Sequence, residues 1–427
     1  MKKTSNPNSA LQTLKSAISR YSHVSWALAD QSMVSGVNFL TGILLARYLG
    51  LDEYGRFTLA WMAVLFFNSI QQAGIIAPMM SLGPKQNGAD ETGYYSAIIV
   101  QQIVWSVLGF FLLWAGVWLS GFIVPQWGVQ DLGLPLASAL LAWQLQDFLR
   151  RYFFARNQSK LAFFNDVISY LGQLALLLAL FHWARLTTAG VLWLIALTSA
   201  AAVLVGACGL GSLQFSRKTL REITRQHWYS SKWLLGSALI QWTSGNYFIV
   251  SLGAIVGTGA VGALRAAQNI MGVTHILFQG LENIVPAGAA RSLQIGGKVA
   301  MQTYLWKATL MCTGVTSLFC LIVAIAPDWL FTLFYGSDYT GYGYLLWWFA
   351  PIYLLISIGL PLRAGLCALS QTRPIFVAYV IMTTFSVLSA SFLVDCYGIS
   401  GALVGILGTQ LIFQGYLIIC GKINFLK

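Results

Sequence analysis

The sequence predicts an all-α polytopic membrane protein, with about twelve transmembrane helices in two six-helix lobes related by a parallel internal repeat. Three observations predict it. Charged residues make up 9% of the chain, hydrophobic residues 57%, and the mean hydropathy is +0.69, whereas a soluble protein carries roughly 25% charged residues. Apolar segments of bilayer length follow one another along almost the whole chain. Two stretches of the first half recur, in order, in the second.

The N-terminus, MKKTSNPNSA, is polar and has no cleavable signal pattern. Leu11, Leu14, Ile18 and Tyr21 recur at helical spacing with Lys15 and Arg20 interleaved, which predicts a short amphipathic helix on a membrane surface within an N-terminal segment 1–23. Apolar spans are expected at about 24–47, 57–80, 95–120, 133–152, 161–183 and 188–212, forming an N-lobe over 24–212. A polar, basic stretch, 213–232, reads as the linker between lobes. Six more spans, at about 233–254, 260–286, 304–327, 343–366, 374–395 and 399–421, form a C-lobe over 233–421, and a tail of 422–427 closes the chain.

Charge sets the orientation. Lys and Arg number 25 against 13 acidic residues, a formal +12. With the N-terminus in the cytoplasm, the basic residues of both termini, of 150–160 and of 217–232 fall inside, as do Lys85, Arg291, Lys298, Arg363 and Arg373. Only Arg47, Arg56 and Arg185 fall outside, and Arg265 and Lys307 lie in spans. This bias places both termini in the cytoplasm and accounts for the net charge without a nucleic-acid partner.

The repeat is carried by two matches. Leu45–Trp61, LARYLGLDEYGRFTLAW, aligns with Leu252–Gln268, LGAIVGTGAVGALRAAQ, so that Gly50 and Gly55 meet Gly257 and Gly262. Leu149–Lys160, LRRYFFARNQSK, aligns with Leu362–Arg373, LRAGLCALSQTR, so that Arg150 meets Arg363. Gly190 then meets Gly401. Both copies start on the same side, so the axis relating them runs along the membrane normal.

The segment Ala260–Pro286 carries the sharpest functional signal. Arg265, Gln268, Gly272, His275, Gln279 and Glu282 form one stripe on one helical face, about 26 Å long at 1.5 Å per residue. Lipid rejects such a face, so it is expected to line a water-filled pathway or to pack against protein. Equivalent helices carry further polar faces: Gln31, Ser35 and Asn38 on span one, Asn68, Gln71 and Gln72 on span two, Gln241 and Ser244 on span seven. The bland reading of each residue singly is interhelical hydrogen bonding. Candidate substrate-binding residues are thus Arg265, Gln268, His275, Gln279, Asn38, Gln31, Asn68, Gln72 and Gln241. Asp30, Asp166 and Glu282 are candidates for coupling transport to a proton or sodium ion, the alternative for each being ion pairing with a neighbouring Arg. Asp147 is expected to pair locally with Arg150 or Arg151.

No phosphate-binding G-x-x-x-x-G-K-[ST] or metal-binding H-E-x-x-H occurs, and the six Cys include no C-x-x-C, so neither an enzyme nor a cofactor is expected.

Asp30–Trp61, and LLARYLGLDEYGRF within it, resembles the first two helices of the polysaccharide flippases of the multidrug/oligosaccharidyl-lipid/polysaccharide exporter superfamily. ARNQSK after span four agrees with the likeness, which covers roughly residues 24–420. The resemblance implies a cargo of undecaprenyl-diphosphate-linked oligosaccharide, moved by alternating access across a bacterial inner membrane, with a polysaccharide polymerase and export machinery as partners besides membrane lipid. It implies no binding residue, because these flippases share little in their cavities. The same fold serves small-molecule antiporters; a membrane glycan polymerase or ligase would carry a sizeable outer loop, which this chain lacks.

Overall fold

The structure, a computed structural model, describes residues 7–86, 89–183 and 186–426; all its regular elements among them are helical. The side chains of Leu11, Leu14, Ile18 and Tyr21, on which the expected amphipathic face depends, lie outside the described residues, as do Lys2, Lys3, Arg185 and Lys427.

The helices in order are α1 (Pro7–Gln71), α2 (Ala77–Leu82), α3 (Ala89–Ile123), α4 (Gly133–Ala155), α5 (Ser159–Asp166), α6 (Gly172–Trp183), α7 (Thr188–Ala207), α8 (Arg217–Ile255), α9 (Thr258–Met271), α10 (Val273–Ile325), α11 (Pro327–Tyr335), α12 (Tyr344–Ala368) and α13 (Arg373–Leu426). π-Turns join α1 to α2 (Gln72–Ile76) and α5 to α6 (Val167–Leu171). Seven helical stretches are long and apolar enough to cross a membrane. Three of them, Ser25–Lys85, Val273–Ile325 and Arg373–Gly421, have 61, 53 and 49 residues, more than twice the ~20 that one crossing needs. Each contains a glycine break: Gly50, Gly296–Gly297 and Gly398. The chain is a multi-pass membrane protein. Its lipid-facing surface is plain on α3, where Ile103, Val104, Val107, Leu108, Phe111, Leu112 and Trp118 are exposed together, a patch that water would not tolerate.

Two compact units divide the chain. The first comprises Met1–Asn38, Ile70–Gly116 and Gly133–Leu235, the second Phe39–Ser69, Val117–Leu132 and Gly236–Lys427. In the first, Met79, Tyr94, Tyr95, Ile98, Phe148, Tyr152 and Phe153 form a buried core between α2, α3 and α4. In the second, Leu366, Ala378, Met382, Phe413 and Leu417 join α12 to both arms of α13.

Two backbone signatures recur at the positions that the sequence alignment pairs. Gly50 has φ 76°, ψ 178° and Gly257 φ 117°, ψ 177°, which only glycine adopts without strain. Asn157 and Ser370, with φ 56° and 58°, are the positive-φ residues other than glycine among the described ones. Each ends a helix in the same way: Gln158 N–H donates to Phe153 O at 2.8 Å, and Gln371 N–H to Leu366 O at 2.8 Å.

The second unit holds both glycine turns against each other. A Cβ on Gly55 would strike the Thr258 carbonyl and lie 2.9 Å from the Gly262 nitrogen; one on Gly262 would strike the Leu51 carbonyl and lie 3.1 Å from the Gly55 nitrogen. The two helices therefore cross backbone to backbone.

One expectation is corrected, and one stretch gains a definite form. The helix expected over 260–286 does not stop at Pro286, which lies inside α10; the break comes at Gly296–Gly297 instead. The basic stretch before the seventh expected span is helical from Arg217, and α8 continues unbroken into the apolar segment.

Candidate functional site

The stripe of the second unit is built on α9 and the first turns of α10. Ala263, Leu264, Ala266, Ala267, Ile270 and Met271 are buried on one face. On the other, Arg265, His275, Gln279 and Glu282 are exposed, and Gln268 and Gly272 half-buried. Small and apolar residues thus dock the helix while the polar stripe stays accessible, the arrangement that its period dictates.

Arg265 lies in a polar, aromatic setting. Its Nη1 donates to Gln268 Oε1 at 3.3 Å, and none of the ion pairs among the described residues includes it. Tyr54, Tyr335, Tyr353 and His275 are within its electrostatic reach. Tyr335 is fixed by donating to Ala266 O at 2.9 Å, and Tyr339 to Ala46 O at 3.1 Å. His275 Nε2 is 3.4 Å from the Tyr353 hydroxyl. At the far end of the stripe Glu282 pairs with Arg363. A guanidinium exposed beside hydroxyls and amides can meet phosphate oxygens two at a time, and the amides can meet sugar hydroxyls.

The remaining polar candidates divide between the units. In the first, Gln31 and Asn38 are exposed on one face of α1, where Gln31 Nε2 donates to Ser35 Oγ at 3.2 Å. Gln72 is half-buried and donates to Asp147 Oδ2 at 2.7 Å. In the second, Asn68 is half-buried and Gln241 exposed.

The first unit contains a buried charge cluster. Asp30 on α1, Arg150 on α4 and Asp166 at the end of α5 meet in its interior, with Asp30 and Asp166 0% exposed. Arg150 Nη2 donates to Asp30 Oδ2 at 2.7 Å, and Nε lies 2.7 Å from Asp166 Oδ2. Gln146 Nε2 donates to Asp166 Oδ1 at 2.7 Å and to Asn165 Oδ1 at 3.0 Å, and Asn165 Nδ2 to Ala202 O at 2.7 Å. Both π-turns border this region, since Gln72 opens one and Asp166 directly precedes the other; a π-turn re-aims the side chains beside it. With both carboxylates ionised the trio carries a formal −1.

The polysaccharide biosynthesis protein family matches residues 22–287, more than half of the chain. The chain belongs to that family. Its fold, too, is that of known transporters. The chain is similar to an inward-facing multidrug resistance MATE family transporter of the MOP superfamily, at 12% identity over 91% of this chain and 94% of that one, with a TM-score of 0.71. It is similar to the lipid II flippase MurJ in an inward closed conformation, at 14% identity over 94% and 89%, TM-score 0.64. A eukaryotic MATE transporter matches at 16% identity over 94% and 95%, TM-score 0.62. Among curated proteins none matches this member of the family.

Of the three candidate coupling carboxylates, Asp30 and Asp166 come together on Arg150, and Glu282 belongs to the other unit. Asp147 pairs with Arg151 at 3.7 Å. The residue whose role sequence reasoning missed is Arg150, counted only with the charges that set the orientation; it is 7% exposed and holds both Asp30 and Asp166. Its signal was the repeat itself: Arg150 aligns with Arg363, and each holds carboxylate.

Proposed function

We propose that this protein moves undecaprenyl-diphosphate-linked oligosaccharide repeat units from the inner to the outer leaflet of a bacterial inner membrane by alternating access, with both termini in the cytoplasm. The observation that carries the reading is the accessible stripe from Arg265 to Glu282 in a member of the polysaccharide biosynthesis family. A diphosphate and a glycan cannot cross hydrocarbon unaided. A face that offers one planar cation, two amides and an imidazole along about 26 Å suits both parts, while the polyprenyl tail stays in lipid. A fold shared with a protein described as a lipid II flippase supports a lipid-linked cargo.

The organisation we propose is twelve crossings in two parallel repeats. It is supported by the glycine breaks in the three longest stretches, and by the paired geometries of Gly50 with Gly257 and Asn157 with Ser370. Coupling to a proton or sodium ion is assigned to Asp30 and Asp166, whose formal charge exceeds that of Arg150, and to Glu282. A multidrug antiporter would share the fold; an Arg on the central stripe favours an anionic cargo over a cationic one.

The test is deletion and complementation. Deletion should leave repeat units on their carrier facing the cytoplasm. Arg265→Ala should fail to restore export at a normal protein level, and Arg265→Lys should restore part of it, since a point charge replaces a planar fork. Full export by Arg265→Ala would overturn the role of the stripe. Loss of the protein from the membrane would assign Arg265 to folding.

A further inference from the structure

The part of α8 that precedes its apolar span has two unlike faces. Ile223, His227 and Ser231 are 8%, 3% and 2% exposed. They hold the segment to the first unit: His227 Nε2 lies 3.1 Å from the Tyr94 hydroxyl, Ser231 Oγ donates to Gly74 O at 3.1 Å, and Gln101 Nε2 donates to Thr224 Oγ1 at 2.9 Å. The opposite face carries Arg221, Arg225, Trp228, Tyr229 and Lys232, followed by Trp233, and every one is exposed. Trp228, Tyr229 and Trp233 keep 60%, 59% and 77% of their surface.

None of the ion pairs among the described residues includes Arg221, Arg225 or Lys232. The cations gather on aromatic rings instead: the Arg225 guanidinium is 5.8 Å and the Lys232 ammonium 5.5 Å from the Tyr229 centroid, and Lys232 is 5.9 Å from that of Trp233. Glu222, the nearby acid, sits at the edge of the face, where it lines a groove with Asp90 and Gln226.

Continuity with the proposed seventh crossing sets the depth of this face. α8 runs unbroken from Arg217 to Ile255, and the crossing that the sequence places at about 233–254 begins near Trp233. At a rise of about 1.5 Å per residue, Lys232 and Tyr229 lie within about 6 Å of the hydrocarbon edge and Arg225 about 12 Å from it. That range is the headgroup layer, where Trp and Tyr side chains are favoured.

We propose that the exposed face from Arg225 to Trp233 binds anionic phospholipid headgroups of the leaflet it borders. Arg225 and Lys232 engage the phosphate, and Trp228, Tyr229 and Trp233 pack at the level of the glycerol and ester groups. Net positive charge selects anionic over zwitterionic lipid, and the rings select lipid over free phosphate. The site goes beyond the transport reading, because it lies off the stripe and needs no cargo.

The experiment uses purified full-length protein in detergent, titrated with phosphatidylglycerol, phosphatidylcholine or inorganic phosphate, with retained lipid counted by native mass spectrometry. Phosphatidylglycerol should be retained in preference to phosphatidylcholine, and millimolar phosphate should not displace it. The double variant Arg225→Gln/Lys232→Gln should weaken phosphatidylglycerol binding about 25-fold, about 5-fold per cation, and leave phosphatidylcholine binding and the lipid-free melting temperature unchanged. Wild-type phosphatidylglycerol affinity in that variant, or equal retention of both lipids by the wild type, would overturn the site. Binding in detergent is independent of sidedness and of export, so its failure is distinct from failure of the transport reading.

Discussion

Gly55 and Gly262 occupy reciprocal positions: each stands where its own Cβ would strike a carbonyl of the other's turn, Thr258 for Gly55 and Leu51 for Gly262. Two-fold partners make such contacts with each other, residue i to j and j to i. Backbone cannot yield as a flexible side chain would. Gly55→Ala and Gly262→Ala should each destabilise the protein by at least the roughly 1–3 kcal/mol typical of overpacking. Gly236→Ala, with nothing within 4 Å of its added Cβ, is the control. Melting temperatures in detergent would measure all three, and a wild-type value for the first two would contradict the crossing.

Arg150 is expected to be the most sensitive charge in the first unit. Removing it leaves Asp30 and Asp166 buried side by side, a change that costs about 3–5 kcal/mol. Arg150→Ala should therefore deplete the protein from the membrane. Asp30→Asn or Asp166→Asn leaves one carboxylate on the guanidinium and should fold. If the trio couples transport, these two variants should lose export at normal protein levels; export unchanged across a range of pH and sodium would make the cluster purely structural.

Cysteine labelling distinguishes the two faces of α9 and α10. Cysteines at Gln268 and Gln279, on the accessible face, should react with a membrane-impermeant thiol reagent. A cysteine at Ile270, 3% exposed, should react at least tenfold more slowly. Equal rates would refute a solvated stripe.

His227 makes a pH-dependent contribution outside the spans. Burial pushes its pKa down to about 4, below the ~6.5 of the unfolded chain, and its Nδ1 is buried with no partner to accept a second N–H. Between those values the unfolded state binds the extra proton, so stability falls as pH falls from about 6.5 toward 4 and is fully present above that window. Melting temperatures at pH 7.5 and pH 5 should differ more in the wild type than in His227→Gln. Equal pH dependence in both would assign the effect to other groups.

The stripe was legible in the sequence because a helical period of polar residues is a local signal. Arg265, Gln268, His275, Gln279 and Glu282 face one way whatever the chain does elsewhere. The paired glycines were legible as a repeat, but not as a contact, since nothing in two similar segments says that they touch. The pairing of Arg150 was not legible, because an Arg at the end of an apolar segment looks like an orientation charge and its acceptor on α1 lies 120 residues away. The helix at 217–232 was hidden by composition: hydropathy averages its two faces, whereas the four-residue spacing of Ile223, His227 and Ser231 separates them.

The Asp30–Arg150–Asp166 cluster also orders events during synthesis. Its members leave the ribosome on α1, α4 and α5 in turn. A lone Asp or Arg costs up to about 3 kcal/mol to insert at the centre of a nascent helix and less near its ends, where Asp30 and Arg150 fall. Asp30 therefore waits 120 residues for Arg150, roughly 6–24 s at 5–20 residues per second. Until α4 emerges, Asp30 lacks the counter-ion that the finished protein gives it. Arg150 then arrives to a waiting carboxylate and receives its second one a single helix later. A nascent chain that stalls between these points exposes an unmatched charge, a mark by which membrane quality control can tell an unfinished protein from a finished one.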